Sequence, residues 1–218
     1  MRHFDRFWTA LALSLGLLQP VIAADPISTR AQALKAIEQD SPQERFAGVV
    51  RLAEVGLMAD ADRLVARLRD ESEEVRLVAA SALWQIWGRS GDTAIDALYQ
   101  RGVQQMETSQ FPQALTTFNE IVRRKPAFAE GWNKRATLHY LMGNFERSLK
   151  DCDEVVKRNP NHFGALSGYG QIYLNLGDLE KALAYFEKAL AVNPNLAGAT
   201  ITIRQLQLQL QEKQRKST

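Results

Sequence analysis

Residues 163–196 read FGALSGYGQIYLNLGDLEKALAYFEKALAVNPNL. From Phe163 to Leu176, Leu166, Tyr169 and Tyr173 recur at helical spacing; Gly177-Asp178 interrupts the pattern; from Leu179 to Val192, Ala182, Leu183, Phe186 and Leu190 form a second apolar stripe. Pro194 follows, and a residue with no N–H and a fixed φ stops helix propagation. The stretch predicts two helices packed against each other.

The same arrangement recurs upstream. Pro126, Pro160 and Pro194 are evenly spaced, and four further columns keep the same interval: Ala114, Ser148, Ala182; Phe118, Cys152, Phe186; Gly102, Ala136, Gly170; and Leu98, Trp132, Leu166. Thr108-Ser109-Gln110 and Met142-Gly143-Asn144 are the matching turns. Helix axes about 8–10 Å apart leave no room for a side chain at the crossing point, so Gly102, Ala136 and Gly170 are small where Phe118, Cys152 and Phe186 need space.

This pattern resembles the tetratricopeptide repeat (TPR), whose 34-residue signature is W-x2-L-G-x2-Y, then A-x3-F, then P. Leu166, Tyr169, Gly170, Tyr173, Ala182, Phe186 and Pro194 match it almost throughout. The middle unit keeps Trp132 but carries Arg135, His139, Ser148 and Cys152 where Leu, Tyr, Ala and an aromatic are usual, which predicts the softest core. The first unit has Gln105 at the Tyr column. The resemblance implies an all-α, right-handed helical-repeat solenoid with three units at about 95–128, 129–162 and 163–196, inside a region spanning 93–196.

A shorter ruler fits the region 25–92. Ser41-Pro42-Gln43-Glu44-Arg45-Phe46-Ala47-Gly48 aligns with Ser72-Glu73-Glu74-Val75-Arg76-Leu77-Val78-Ala79, each opening on a Ser N-cap. The segment from Asp70 to Leu83 resembles a HEAT-type repeat in its short bacterial form. The connector Gly88-Arg89-Ser90-Gly91-Asp92 is short, which predicts a continuous stack, with Trp84 and Trp87 burying against the next helix. Beyond the repeats, residues 197–213 form a capping helix with Ile203, Leu206 and Leu210 on its packed face, and 214–218 a tail.

Residues 1–24 carry Arg2 and Arg6, a short apolar run from Phe7 to Leu18, and Val21-Ile22-Ala23-Ala24. This is the pattern of a signal peptide cleaved after Ala23 or Ala24, implying export to a periplasm and no stable membrane insertion afterwards. The alternative is an uncleaved anchor on an inner-membrane assembly factor.

The chain holds 27 Lys+Arg against 25 Asp+Glu, and loss of Arg2, Arg6 and Asp5 leaves 25 against 24, too balanced for capture of nucleic acid by bulk charge. One Cys and three His exclude a Cys-rich zinc site or a disulfide framework. His139 occupies a packed column, His162 sits in a turn with no matching His, and Asp151, Asp153 and Glu154 read as a solvated acidic face. Gly168-x-Gly170 lies inside a helix pattern, not after a strand. No catalytic constellation, metal site or cofactor motif is present, so a non-catalytic adaptor is expected. A lyase-like cofactor-attachment role through the HEAT-like segment is a lesser alternative.

Solenoids bind with their concave face. The resemblance places there Tyr99, Gln100, Val103 and Met106; Asn133, Lys134, Thr137 and Tyr140; Ser167, Gln171, Leu174 and Asn175; and, beyond the repeats, Ile201 and Leu208. Amides and apolar anchors suit a protein or peptide partner. TPR clamps for chaperone C-terminal carboxylates use Lys, Asn and Arg at set positions. Here those columns hold Tyr99, Val103, Lys134, Gly164 and Gly168, which disfavours that ligand.

Overall fold

A computed structural model describes residues 27–217, and the regular elements among them are all helical. The expected signal segment lies outside the described residues. Four helices come first: α1 (Arg30–Ala36), α2 (Pro42–Val55), α3 (Ala61–Arg67) and α4 (Glu73–Trp87), with a 3-10 turn at Met58–Asp60. Three helix pairs follow: α5 (Thr93–Glu107) with α6 (Phe111–Arg124), α7 (Ala129–Leu141) with α8 (Phe145–Arg158), and α9 (Phe163–Asn175) with α10 (Leu179–Val192). The last element, α11 (Ala197–Ser217), runs through the stretch read above as a tail.

Each pair closes on its small-residue column. A Cβ on Gly102 would lie 2.7 Å from the Phe118 ring, and one on Gly170 would lie 2.8 Å from Phe186. In the middle pair the volumes are exchanged: Ala136 faces Cys152, both buried in one cluster. A methyl group does not replace a phenyl ring, and the consequence appears in the groove described below. On α11 the same column holds Arg204, which is exposed because no helix crosses α11 there among the described residues.

The turns inside the pairs share a backbone. Gly143 and Gly177, one repeat apart, have φ of +73° and +77°; Ser109, in the same column, is forced to φ 58°. A left-handed L-residue costs about 1–2 kcal/mol. Ser109→Gly is therefore expected to stabilise the protein by about 1 kcal/mol, after allowance for glycine's larger unfolded-state entropy, with urea denaturation as the check.

The N-terminal helices obey the shorter ruler in their hydrogen bonds. Arg45 donates to the carbonyls of Gln39 and Asp40 and pairs with Asp70 through two bonds of 2.7 and 2.8 Å; Arg76 donates to the carbonyls of Asp70 and Glu71. The Asp70 role, acceptor for the guanidinium from the following unit, is filled for Arg76 by Asn195, whose Oδ1 lies 3.0 Å from Nε. The loop after the third pair thus stands where another N-terminal unit would.

That substitution corrects the expectation of a continuous stack from α4 into α5. The chain folds back, and the N-terminal bundle docks on the loops between the helix pairs. Phe163, Val192 and Leu196 complete its core. Asn195 donates to the carbonyl of Leu68 at 2.7 Å, Arg69 caps the α10 C-terminus at the carbonyls of Ala191 and Val192, and Asn161 donates to Asp62 at 3.1 Å. Trp84 and Trp87 pack on His162 and Phe163 rather than on the next helix. Trp87 is buried, while Trp84 remains 38% exposed.

Candidate functional site

The concave face is built from α5, α7, α9 and α11, whose fifth and twelfth column positions are Tyr99, Asn133, Ser167, Ile201 and Met106, Tyr140, Leu174, Leu208. The structure divides the residues expected there. Tyr99 and Asn133 are buried and spent on an internal network. Lys134, Val103, Met106, Tyr140, Ser167 and Leu174 are half-buried; Gln100, Thr137, Gln171, Asn175, Ile201 and Leu208 are exposed. Asn175 Nδ2 donates to the Tyr140 hydroxyl at 3.0 Å, tying neighbouring repeats together.

The network that takes Tyr99 and Asn133 out of the groove centres on Glu130, in the first turn of α7. Its carboxylate is buried and accepts from Tyr99 OH (3.3 Å), Asn133 Nδ2 (3.1 Å) and His162 Nε2 (2.8 Å), with Lys134 Nζ at 3.4 Å. Burial pushes this carboxyl up, but the hydrogen bond from His162, the charge of Lys134 and the Asn133 amide together hold it below the usual carboxylate range. His162 is fully buried; its Nδ1 accepts the Ala165 N–H at 3.0 Å, so the ring is the N-cap of α9 and its other nitrogen carries the proton toward Glu130. Trp87 stacks on it with centroids 4.5 Å apart. A histidine read as a turn residue is thus the joint between bundle and repeats.

The groove opens into a cavity of about 290 Å³ between α7 and α9. Five expected groove residues border it: Asn133, Thr137, Tyr140, Ser167 and Gln171. Its depth comes from the middle unit, through Ala136, Ser148 and Cys152, where the aromatic of the other units is missing. Gly164 and Gly168 form part of the α9 wall, and Trp84 lies directly against Gly164. Burial, and then Asp151 and Asp153, push the Cys152 thiol up to about 12, so it is a protonated apolar surface and no nucleophile. Ser148 Oγ donates to the carbonyl of Ala136 at 2.7 Å.

The acidic face of α8 needs correction. Asp151 is buried, not solvated, and takes a two-point bond from Arg135 at 2.8 and 2.6 Å. Arg135 and Asp151 replace an apolar contact at that column by a satisfied ion pair. Asp153 accepts from the Tyr169 hydroxyl, and Glu154 pairs with Arg158. His139, buried nearby, is held below its ordinary range, first by desolvation. Among the described residues no group of three or more His, Cys, Asp or Glu is placed to hold a metal, and no helix is long and apolar enough to cross a membrane.

Residues 96–126 and 133–197 each match the family described as tetratricopeptide repeat. A TPR repeat-containing protein of Rhizobium etli is 35% identical over 87 residues, which is 39% of this chain; the chain spans 43% of that relative's length. Among solved structures, the first TPR domain of Spaghetti (RPAP3) bound to an HSP90 peptide superposes with a TM-score of 0.52 at 22% identity, over 53% of this chain and 92% of that one. The Sgt2 TPR domain from Aspergillus fumigatus gives 0.54 at 18% identity, over 58% and 85%. The three helix pairs are TPR units in a helical-repeat fold.

Proposed function

We propose that this TPR solenoid is a non-catalytic adaptor of the cell envelope, exported by its N-terminal segment, that takes a peptide or helix of a partner protein in the groove between α7 and α9. The observation that carries this reading is the cavity floored by Cys152. It is deep and uncharged where the other units are filled, edged by the hydroxyls and amides of Thr137, Ser167 and Gln171. Such a pocket takes one apolar anchor side chain while the rim amides hold the partner's backbone, the arrangement of an interface hot spot. The related Spaghetti domain is bound to an HSP90 peptide ending in EVD. This groove lacks the cation set for such a carboxylate, so the anchor is assigned to an apolar side chain.

Gly168→Leu tests the reading. A Cβ there meets only Cys152 Sγ at 3.8 Å, so the new side chain enters the cavity without a clash and replaces a helical glycine by a better helix former. The expected result is an unchanged or raised melting temperature together with loss of the partner crosslink formed by a photoreactive residue at Gln171. A crosslink of undiminished yield in Gly168→Leu moves the site elsewhere. Tyr99→Ala is not a groove test, since that ring packs on Phe118 and Phe128.

A further inference from the structure

A second cavity, of about 190 Å³, lies where the N-terminal bundle meets the loops after the first and second TPR units. Arg89, Lys125 and Arg158 all line it, and no Asp or Glu does. Two of the cations are held in place: Arg89 donates to the carbonyls of Ala53 and Gly56 at the end of α2, and Arg158 to the carbonyl of Pro126. Lys125 makes no ion pair among the described residues. The cavity also meets the start of α7 at Phe128 and Ala129. The starts of α5, α9 and α10 are capped by Asp92, His162 and Asp178; those of α6, α7 and α8 have no side-chain cap. Of these three only α7 starts at this cavity, where Phe128 supplies no side-chain acceptor. The first N–H groups of α7, with the positive end of its dipole, therefore border a cationic space.

Two further donors belong to this wall. Trp87 and Asn159 line the cavity and are 4% and 5% exposed, yet Trp87 Nε1 and Asn159 Nδ2 have no acceptor in the protein. A buried N–H without an acceptor is costly, so native proteins supply one. Glu154 pairs with the lining Arg158 and offsets part of its charge, which leaves Lys125 and Arg89 without a carboxylate partner among the described residues. The other neighbouring acids are committed elsewhere: Glu130 to Tyr99, Asn133 and His162; Asp96 to the Ser90 N–H; Asp92 to the α5 N-terminus.

We propose that this junction cavity binds a compact oxyanion of phosphate size, free or esterified. Cations, an uncapped helix N-terminus and donors in search of acceptors converge there. Its volume is several times the roughly 30 Å³ of one water, enough for a tetrahedral oxyanion with part of its hydration. Bound there, the anion joins the N-terminal bundle (Trp87, Arg89) to the first and second TPR units (Lys125, Arg158 and Asn159), independently of the Cys152 pocket.

The test is titration of the full-length protein with inorganic phosphate, and with chloride at equal ionic strength, followed by the indole N–H resonances in ¹⁵N spectra. Trp87→Phe identifies the Trp87 peak. The expected result is movement of that peak in phosphate but not chloride, with at least about tenfold weaker phosphate binding in Lys125→Gln, the loss expected for one charge-assisted bond. A parallel titration with methyl phosphate separates the sources: tighter binding than phosphate assigns an esterified group, weaker binding the free anion. A Trp87 peak that stays fixed in both, or moves equally in chloride, overturns the proposal and leaves the two donors to water. An undiminished phosphate response in Lys125→Gln does the same.

Discussion

Ala182→Glu is expected to unfold the α9–α10 pair. Ala182 is fully buried in a cluster with Phe186, Ala199, Ile203 and Leu206, where α10 meets both α9 and α11. No cation lies in that cluster, so the carboxylate either stays charged without a partner or takes up a proton, and its bulk opens the helix crossing. An uncompensated buried charge costs about 3–5 kcal/mol against a total stability of about 5–15 kcal/mol. For a chain of this size the melting midpoint should fall by roughly 10 °C or more, measured by far-UV circular dichroism. Ala184→Glu, on the exposed face of the same helix, is the control and should leave the midpoint in place. A free solenoid end would unravel alone, but Val192 and Leu196 also pack on the N-terminal core. The loss should therefore spread to α3 and α4. An unshifted Ala182→Glu curve would sink the assigned packing.

His162→Leu should be comparably damaging, for a different reason. The substitution keeps the apolar contact with Trp87 but strips α9 of its N-cap and Glu130 of its shortest hydrogen bond. Breaking a buried pair on one side costs about 3–5 kcal/mol, whereas replacing both members by apolar groups is often close to neutral. The double variant Glu130→Leu with His162→Leu is expected to recover most of the loss. If it melts no higher than His162→Leu alone, the damage lies in the cap and not in the stranded carboxylate. Acid should mimic the single variant. Because Glu130 is held below its ordinary range in the folded state, its contribution is complete above the unfolded carboxylate value of 4.5 and is lost as the pH falls through the lower folded value. Glu130→Gln should flatten that part of the acid limb. Loosening of the joint should also expose the 88–92 connector to proteolysis.

The helix pairs were legible because each solves the same packing problem again. The glycine at 102 and 170 and the ring at 118 and 186 meet in the same geometry, so the constraint leaves its mark once in every repeat that keeps it. The shorter N-terminal ruler was visible for the same reason, down to two arginines that bind equivalent carbonyls. The middle unit's departures were also visible, but their meaning was not. Arg135 and Asp151 look like a weakened core and an acidic surface until the fold places them 2.6 Å apart. Cys152 looks like a shrunken core until the loss of a ring shows as an opening onto the groove.

Sequence alone determined that this protein is a row of paired helices, where each pair turns, and which columns face inward, since short-range packing repeats itself and is written repeatedly. Tertiary structure decided where the N-terminal bundle goes, that Tyr99 and Asn133 serve Glu130 and not a ligand, and that Trp87, Lys125 and Arg158 border one cavity. That interface occurs once, and it is made by Asn161, His162 and Asn195, residue types that any exposed loop uses. A contact made once between segments distant in the chain leaves no period to read.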